Sequence, residues 1–424
     1  TEETGRELYR IEAGSSIPTL VADINPGPGS SNPFELTEFG GDLYFQATTE
    51  ETGRELYRIE AGSTIPTLVA DIDKGSESSN PSALTEFGGD LYFRAGTKES
   101  GRELYRIEAG SSTPMLIDID PGPRSSAPIG FTEFGGDLYF RAATEETGRE
   151  LYRIEAGSSI PTLVADINPG PRSSAPIGFT EFGGDLYFRA ATEETGRELY
   201  RIEAGSSIPT LVADINPGPG SSDPYEFTEA GGNLYFRAIT EGTTEETGNE
   251  LYRIEAGSST PVLIDIDPGP RSSAPYYFTK FGGDLYFQAG RLETGRELYQ
   301  IKAGSSTPVL LDIDPGPGSS APYEFTEVGG DLYFQAITEE SGEELYRIEA
   351  GSSTPTLIAD INPGSGDSDP DDFTEFGGDL YFQATTEESG RELYRIEAGS
   401  SAPMLVADIN PGPGWSEPSG FFVL

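Results

Sequence analysis

One ten-residue phrase, GRELYRIEAG at residues 5–14, returns with small changes at Gly53, Gly101, Gly148, Gly196, Gly248, Gly295, Gly342 and Gly390. The Leu of its ELY falls at Leu8, Leu56, Leu104, Leu151, Leu199, Leu251, Leu298, Leu345 and Leu393, in steps of 48, 48, 47, 48, 52, 47, 47 and 48. A unit this short cannot bury its apolar faces alone, so it must bury them against copies of itself. That requirement narrows the fold to a repeat architecture before any residue chemistry is considered.

Each unit reads as four strands. Taken from the second copy, strand a is LTEF (Leu36–Phe39), and the GG that follows is a hairpin signal because Gly accepts positive φ. Strand b is DLYFQA (Asp42–Ala47), strand c is RELYRIEA (Arg54–Ala61) and strand d is TLVADI (Thr67–Ile72). A Gly/Pro/Ser link then leads to the next strand a. No segment carries an apolar stripe at helical spacing, so helix is not expected. Strand b has three consecutive apolar residues, Leu43-Tyr44-Phe45. Successive strand side chains point to opposite faces, so both faces of this strand must be covered. Three copies read LIDI or LLDI where the others read LVADI or LIADI. The extra Ala, as in Ala22, Ala70 and Ala165, is expected to form a β-bulge.

A sheet covered on both faces, with short connections inside the unit and a long link between units, is a propeller blade. The first copy looks like the interior ones and carries no polar cap, which argues against an open solenoid. The expected architecture is all-β: a single closed β-propeller over residues 1–424, of four-stranded antiparallel blades, with nine blades favoured and eight as the alternative. In this reading the closing blade is shared between about 1–33 and 419–424, the N-terminal strands c and d pairing with a C-terminal strand at Ser419–Leu424. GGDLYF-type segments occur only at Leu43, Leu91, Leu138, Leu186, Leu234, Leu285, Leu332 and Leu380, so a ninth strand b is missing. The near identity of the copies points to recent amplification of one blade.

Charge sets the next limits. Lys and Arg total 27 against 72 Asp and Glu, giving −45. Nucleic acid is excluded as a partner on that ground, since binding it rests on cations neutralising phosphates. The chain has no His and no Cys, which removes disulfides, thiolate catalysis and His-based metal or base chemistry. No apolar run approaches the roughly 18 residues of a membrane span, so membrane insertion is not expected. The chain opens at Thr1 inside a repeat, which is compatible with a removed leader.

The unit resembles the ELWxxDGT repeats of large bacterial secreted or surface proteins. The resemblance is carried by Glu7-Leu8-Tyr9-Arg10-Ile11-Glu12-Ala13-Gly14, with Tyr for the family's Trp, Glu for its Asp and Ala-Gly for its Gly-Thr, and by the surrounding DINPGPGSSNP and GGDLYF. It implies a β-propeller and an extracellular or cell-surface setting, and it implies no activity.

Four sets of residues are candidates for chemistry. The d-to-a link, Asp23-Ile24-Asn25-Pro26-Gly27, faintly resembles a calcium loop, in which hard oxygen ligands wrap a cation. The equivalent positions are Asp71, Asp73, Asp118, Asp120, Asp166, Asp214, Asp265, Asp312, Asp360 and Asp408. The alternative is that these side chains bond their own turn. The acidic b–c loops, with Glu2, Glu3, Glu50 and Glu51, would form a negative collar. The strand a residues Glu38, Glu86, Glu133, Glu181, Glu229, Lys280, Glu327 and Glu375 could line a central channel. Trp415 replaces a Ser of the link, sealing a seam or marking a ligand patch. No cofactor is expected, Ca2+ being the one candidate.

Nine near-identical units offer no asymmetric constellation for catalysis, so no enzyme is expected. A carboxylate-only hydrolase, which needs two Asp or Glu, stands last. The functional expectation is a monomeric, non-enzymatic extracellular interaction or adhesion scaffold for a protein or glycan. The alternative is a multivalent, lectin-like carbohydrate or calcium binder, where repetition supplies avidity.

Overall fold

A computed structural model describes residues 4–12, 15, 17–240, 248–268, 271–410, 412–416 and 418–423. No helix occurs among them. The first blade consists of the strands Phe34–Phe39, Asp42–Thr49, Gly53–Ile59 and Thr67–Ala70, paired in chain order as one antiparallel sheet. Seven more four-stranded sheets of the same order lie within residues 82–117, 129–165, 177–213, 225–264, 276–311, 323–359 and 371–407. Strands a and b each run longer than their apolar letters indicate. These are the blades of a β-propeller.

The closing blade departs from expectation. The strands Leu8–Arg10 and Thr19–Ala22 pair only with each other, as a two-stranded sheet. Residues 418–423 carry no strand. The cause is the missing ninth strand b: among the described residues every strand a is held by a strand b beside it, and the sequence has eight GGDLYF-type segments.

The bulge is where the extra Ala places it. In the first blade Leu56 pairs with Ala70 but Tyr57 pairs with Leu68, which leaves Val69 unopposed. In the second blade, which lacks the Ala, Leu104, Tyr105 and Arg106 pair without interruption with Ile117, Leu116 and Met115.

The chain divides into two compact units, one chiefly Pro18–Leu211 and the other chiefly Val212–Val423. In the first unit, Phe39, Tyr44 and Leu56 of one blade pack on Leu91, Phe93, Tyr105 and Ile107 of the next. The same interlock joins the second blade to the third and the third to the fourth. Leu8 and Ile24 lie against Leu43, Phe45 and Tyr57. In the second unit the pattern repeats, with Phe281, Tyr286 and Leu298 against Leu332, Phe334 and Tyr346. Within each unit the first strands of successive blades are neighbours, so strand a is the inner strand. Strand b is covered on both faces, and Phe45, Phe93, Phe140 and Phe188 are fully buried, each contributing about 1.5–3 kcal/mol.

The Gly that opens strand c is required by a close approach. Gly101 has φ +69°, and a Cβ built on it would lie 1.9 Å from the Arg124 carbonyl oxygen, where the link crosses the strand. Gly101→Ala is expected to lower the unfolding free energy by at least about 2 kcal/mol, because the positive φ and the backbone clash add. Gly89→Ala is the control: φ is +84° but no atom lies within 4 Å, so about 1 kcal/mol is expected. Chemical denaturation of the two variants measures the difference.

Candidate functional site

The structure places each sequence candidate. Asp23 Oδ2 accepts the Gly27 N–H at 3.1 Å, and the bond recurs from Gly75 to Asp71, Gly170 to Asp166, Gly218 to Asp214, Gly364 to Asp360 and Gly412 to Asp408. The link aspartates therefore fold back on their own turn. Asn25 Oδ1 accepts the Glu50 N–H at 3.2 Å, tying the link to the following b–c loop. Asp118, Asp265 and Asp312 hold the same place in the three copies without the bulge Ala. No group of three or more carboxylates among the described residues is arranged to hold a metal ion.

Glu50 and Glu51 are exposed, and Glu2 and Glu3 lie outside the described residues. Arg172 pairs with Glu193 at 2.7 Å across the link and the b–c loop, as Arg124 does with Glu145. Such exposed pairs contribute little. Glu38, Glu86, Glu133, Glu181, Glu229, Lys280, Glu327 and Glu375 are all exposed, next to the a–b hairpin. Trp415 is 58% exposed, and its carbonyl accepts from Asn410 Nδ2 at 3.2 Å.

A set that the sequence reading overlooked holds the blades together. The Glu of every GRELY is buried: Glu55, Glu103, Glu150, Glu198, Glu297, Glu344 and Glu392 have no exposed surface. Glu55 Oε2 accepts the Ile72 N–H at 3.1 Å and the Ser79 hydroxyl at 2.6 Å, while Oε1 accepts the Ser79 N–H at 2.8 Å. Each carboxylate thus staples the link that follows onto its own strand c. Burial pushes Glu55, Glu103, Glu150, Glu297 and Glu392 up from the usual carboxylate range, against the hydrogen bonds from Ser, and Glu250 and Glu344 are raised to about 7. The signal was present: the Glu never varies, and a Ser always follows 23 or 24 residues later.

Beyond the links and the b–c loops, the copies vary at the start of strand a and in the strand b and c residues beside it. The first two residues of strand a read Phe34-Glu35, Ser82-Ala83, Ile129-Gly130, Ile177-Gly178, Tyr225-Glu226, Tyr276-Tyr277, Tyr323-Glu324 and Asp371-Asp372. The first of each pair lies opposite Gln46, Arg94, Arg141, Arg189, Arg237, Gln288, Gln335 or Gln383 of strand b. The second has positive φ in every copy, including Glu35 at 57°, Tyr277 at 59° and Asp372 at 55°. Gly is the cheap residue there, yet only two copies use it, and non-Gly residues in this region cost roughly 1–2 kcal/mol.

In the second unit this position is aromatic and acidic. Arg237 lies 4.0 Å from the Tyr276 ring centroid and 5.3 Å from that of Tyr225. Tyr277 and Tyr323 are in ring contact at 5.7 Å. Burial raises Glu324, with Asp371 and Asp372 adding to the shift. Arg391 is bound to Asp371 at 2.6 Å. On the second, third and fourth blades, in the first unit, the strand b residue at this position is Arg94, Arg141 or Arg189. Burial depresses Arg94 and Arg141; Arg102 adds to the first shift, and Arg149, Arg189 and Arg94 add to the second.

No family model matches the chain, and no curated protein matches it. Solved structures with which it shares likeness include one from a structural and mechanistic analysis of two prolyl endopeptidases (14% identity, TM-score 0.45, 77% of this chain and 49% of that one). A puromycin-hydrolyzing peptidase of Mycobacterium tuberculosis matches at 13% identity and TM-score 0.39, over 77% of this chain and 53% of its own. A puromycin hydrolase matches at 15% identity and TM-score 0.40, over 84% of this chain and 58% of its own. The chain spans about half the length of these structures. They are enzymes, and that corrects the expectation of a non-enzymatic extracellular adhesion scaffold, a reading that is carried no further. A likeness this distant assigns no peptidase activity to the chain either.

Proposed function

We propose that the chain is a ligand-binding propeller module whose binding surface is the end of the blades where strand a begins. One observation carries this reading: in copies that otherwise repeat the Leu-Tyr-Phe of strand b and the stapling Glu and Ser letter for letter, the side chains at this end differ in size and sign. Six of the eight copies also keep a strained non-Gly residue there. Strain of this kind gathers where side chains act on something outside the fold. Binding, rather than catalysis by these blades, is supported by the state of the strongly shifted acids. Perturbed carboxyls mark active sites, but Glu55, Glu150 and their equivalents are occupied by Ser and backbone donors of their own links.

Tyr277 is 48% exposed and Glu324 is exposed. If these side chains serve a ligand, Tyr277→Gly and Glu324→Gly leave the melting temperature unchanged or raise it, since relief of positive φ offsets the entropy of the added Gly. The same substitutions abolish the thermal shift produced by any ligand found in a panel of charged small molecules and peptides. A loss of more than about 2 kcal/mol on either substitution would assign the side chains to packing and end the proposal.

A further inference from the structure

We infer that Arg94, Arg141 and Arg189, on three successive blades of the first unit, form a site for a small oxyanion carrying two or more negative charges. This deepens the binding-surface reading above and rests on it.

The blades holding these arginines differ from the others in two ways at once. Four other blades place a buried Gln at this position of strand b: Gln46, Gln288, Gln335 and Gln383. Four blades also carry an acid at the second residue of strand a, namely Glu35, Glu226, Glu324 and Asp372. On the first blade Glu35 Oε2 accepts the Ala83 N–H of the next blade at 2.9 Å. Blades two to four replace the Gln with Arg and the acid with Ala83, Gly130 or Gly178. Both changes move the local charge the same way, in a chain whose net charge is −45.

The arginines elsewhere show how unusual this is. On strand c, Arg58, Arg106, Arg153, Arg201, Arg347 and Arg395 each hold the Asp of strand b and a Glu two residues on. Arg237 is flanked by two tyrosine rings and Glu226. The Arg141 side chain has no ion pair or hydrogen bond among the described residues, and the charges acting on it are Arg149, Arg189 and Arg94. Arg94 Nε and Nη2 both reach the Ser82 hydroxyl, at 3.1 and 2.8 Å, and Glu35 of the preceding blade is the one acid acting on its charge, against Arg102. Arg102 and Arg149 enter from strand c beside them. Half-buried guanidiniums of one sign, held together by the fold, are relieved by a multivalent anion, and each planar fork can take phosphate or carboxylate oxygens in pairs. Phosphate and carboxylate share that chemistry, so the test carries an arm for each.

The test is calorimetric titration and thermal unfolding of the full chain with sodium pyrophosphate and, separately, sodium citrate, against NaCl at matched ionic strength. At least one anion is expected to bind saturably and to raise the melting temperature with the logarithm of its concentration. Arg141→Gln installs the residue that four other blades already carry, so it is expected to fold; it should weaken binding at least tenfold. Without anion, this variant is expected to melt at or above the wild-type temperature, because one like charge is gone. Arg10→Gln, which removes an exposed arginine paired with Glu12, is expected to bind as the wild type does. A shift reproduced by NaCl, or binding that Arg141→Gln leaves intact, overturns the anion site. If both anions fail while a cationic or neutral ligand depends on Tyr277 and Glu324, the binding surface stands and the anion assignment falls. If no ligand responds to either set, both fall.

Discussion

Glu150→Ala is expected to lower the unfolding free energy by about 3–5 kcal/mol, among the largest effects open to a single substitution in this chain. Glu150 is fully buried. Its Oε2 accepts the Ile167 N–H at 2.9 Å and the Ser174 hydroxyl at 2.6 Å, and its Oε1 accepts the Ser174 N–H at 2.7 Å. Truncation leaves two backbone donors and a hydroxyl without a partner in a site closed to water, at about 1–3 kcal/mol for each donor. Glu150→Gln keeps the shape and one good acceptor but sets its NH2 against an N–H donor, so an intermediate loss of about 1–2 kcal/mol is expected. Ser174→Ala removes only the hydroxyl bond. A double-mutant cycle between the two positions should give a coupling of at least about 1 kcal/mol, the size of one charge-assisted bond. Urea denaturation of the three variants measures it. Additive losses would show that the link is held by something other than this carboxylate.

Much of the fold was legible because the repeat tests every assignment eight times. The triple Leu43-Tyr44-Phe45 announced a strand covered on both faces, and these residues are buried between neighbouring sheets. The insertion of one Ala was readable as a bulge because a one-residue change inside a paired strand has few other outcomes. The staple was not read because alternation assigns charged letters to the solvent face. Glu55 shares its face with Tyr57, which is buried, while Arg54 and Arg58 take the other side of the strand. A polar residue on the apolar face needs a partner brought from far along the chain, and that partner is one Ser among many. The closing strand was misjudged for a related reason: Ser419–Leu424 matches strand a by letter, but a strand exists only where another can pair with it. The start of strand a was passed over because its variation looked like tolerance. Only the backbone shows that these variable residues occupy a conformation that most of them find costly.

Lowering the pH from 8 to 5 is expected to stabilise the protein, opposite to the usual behaviour of a chain rich in paired carboxylates. Burial raises Glu55, Glu103, Glu150, Glu250, Glu297, Glu344 and Glu392 above the ordinary value of 4.5, with Glu250 and Glu344 reaching about 7. In the unfolded chain these groups lose their protons near 4.5. Between about 4.5 and 7 the folded state therefore holds protons that the unfolded state has released, and stability falls as pH rises through that window. The contribution is fully present below the unfolded value and is lost above about 7. For Glu250 and Glu344 it is on the order of 3 kcal/mol each. With no His and no Cys in the sequence, few other side chains titrate between pH 6 and 8, so a slope there reports on the buried glutamates. Repulsion among the surface acids has the same sign but is screened by salt, whereas the desolvated groups are not. In 0.5 M NaCl, about 4 Å of Debye screening, the melting temperature should still fall from pH 6 to 8. The double substitution Glu250→Gln and Glu344→Gln should flatten that slope. A melting temperature that rises over the same interval would mean that the staples are ionised throughout, their hydrogen bonds outweighing the burial.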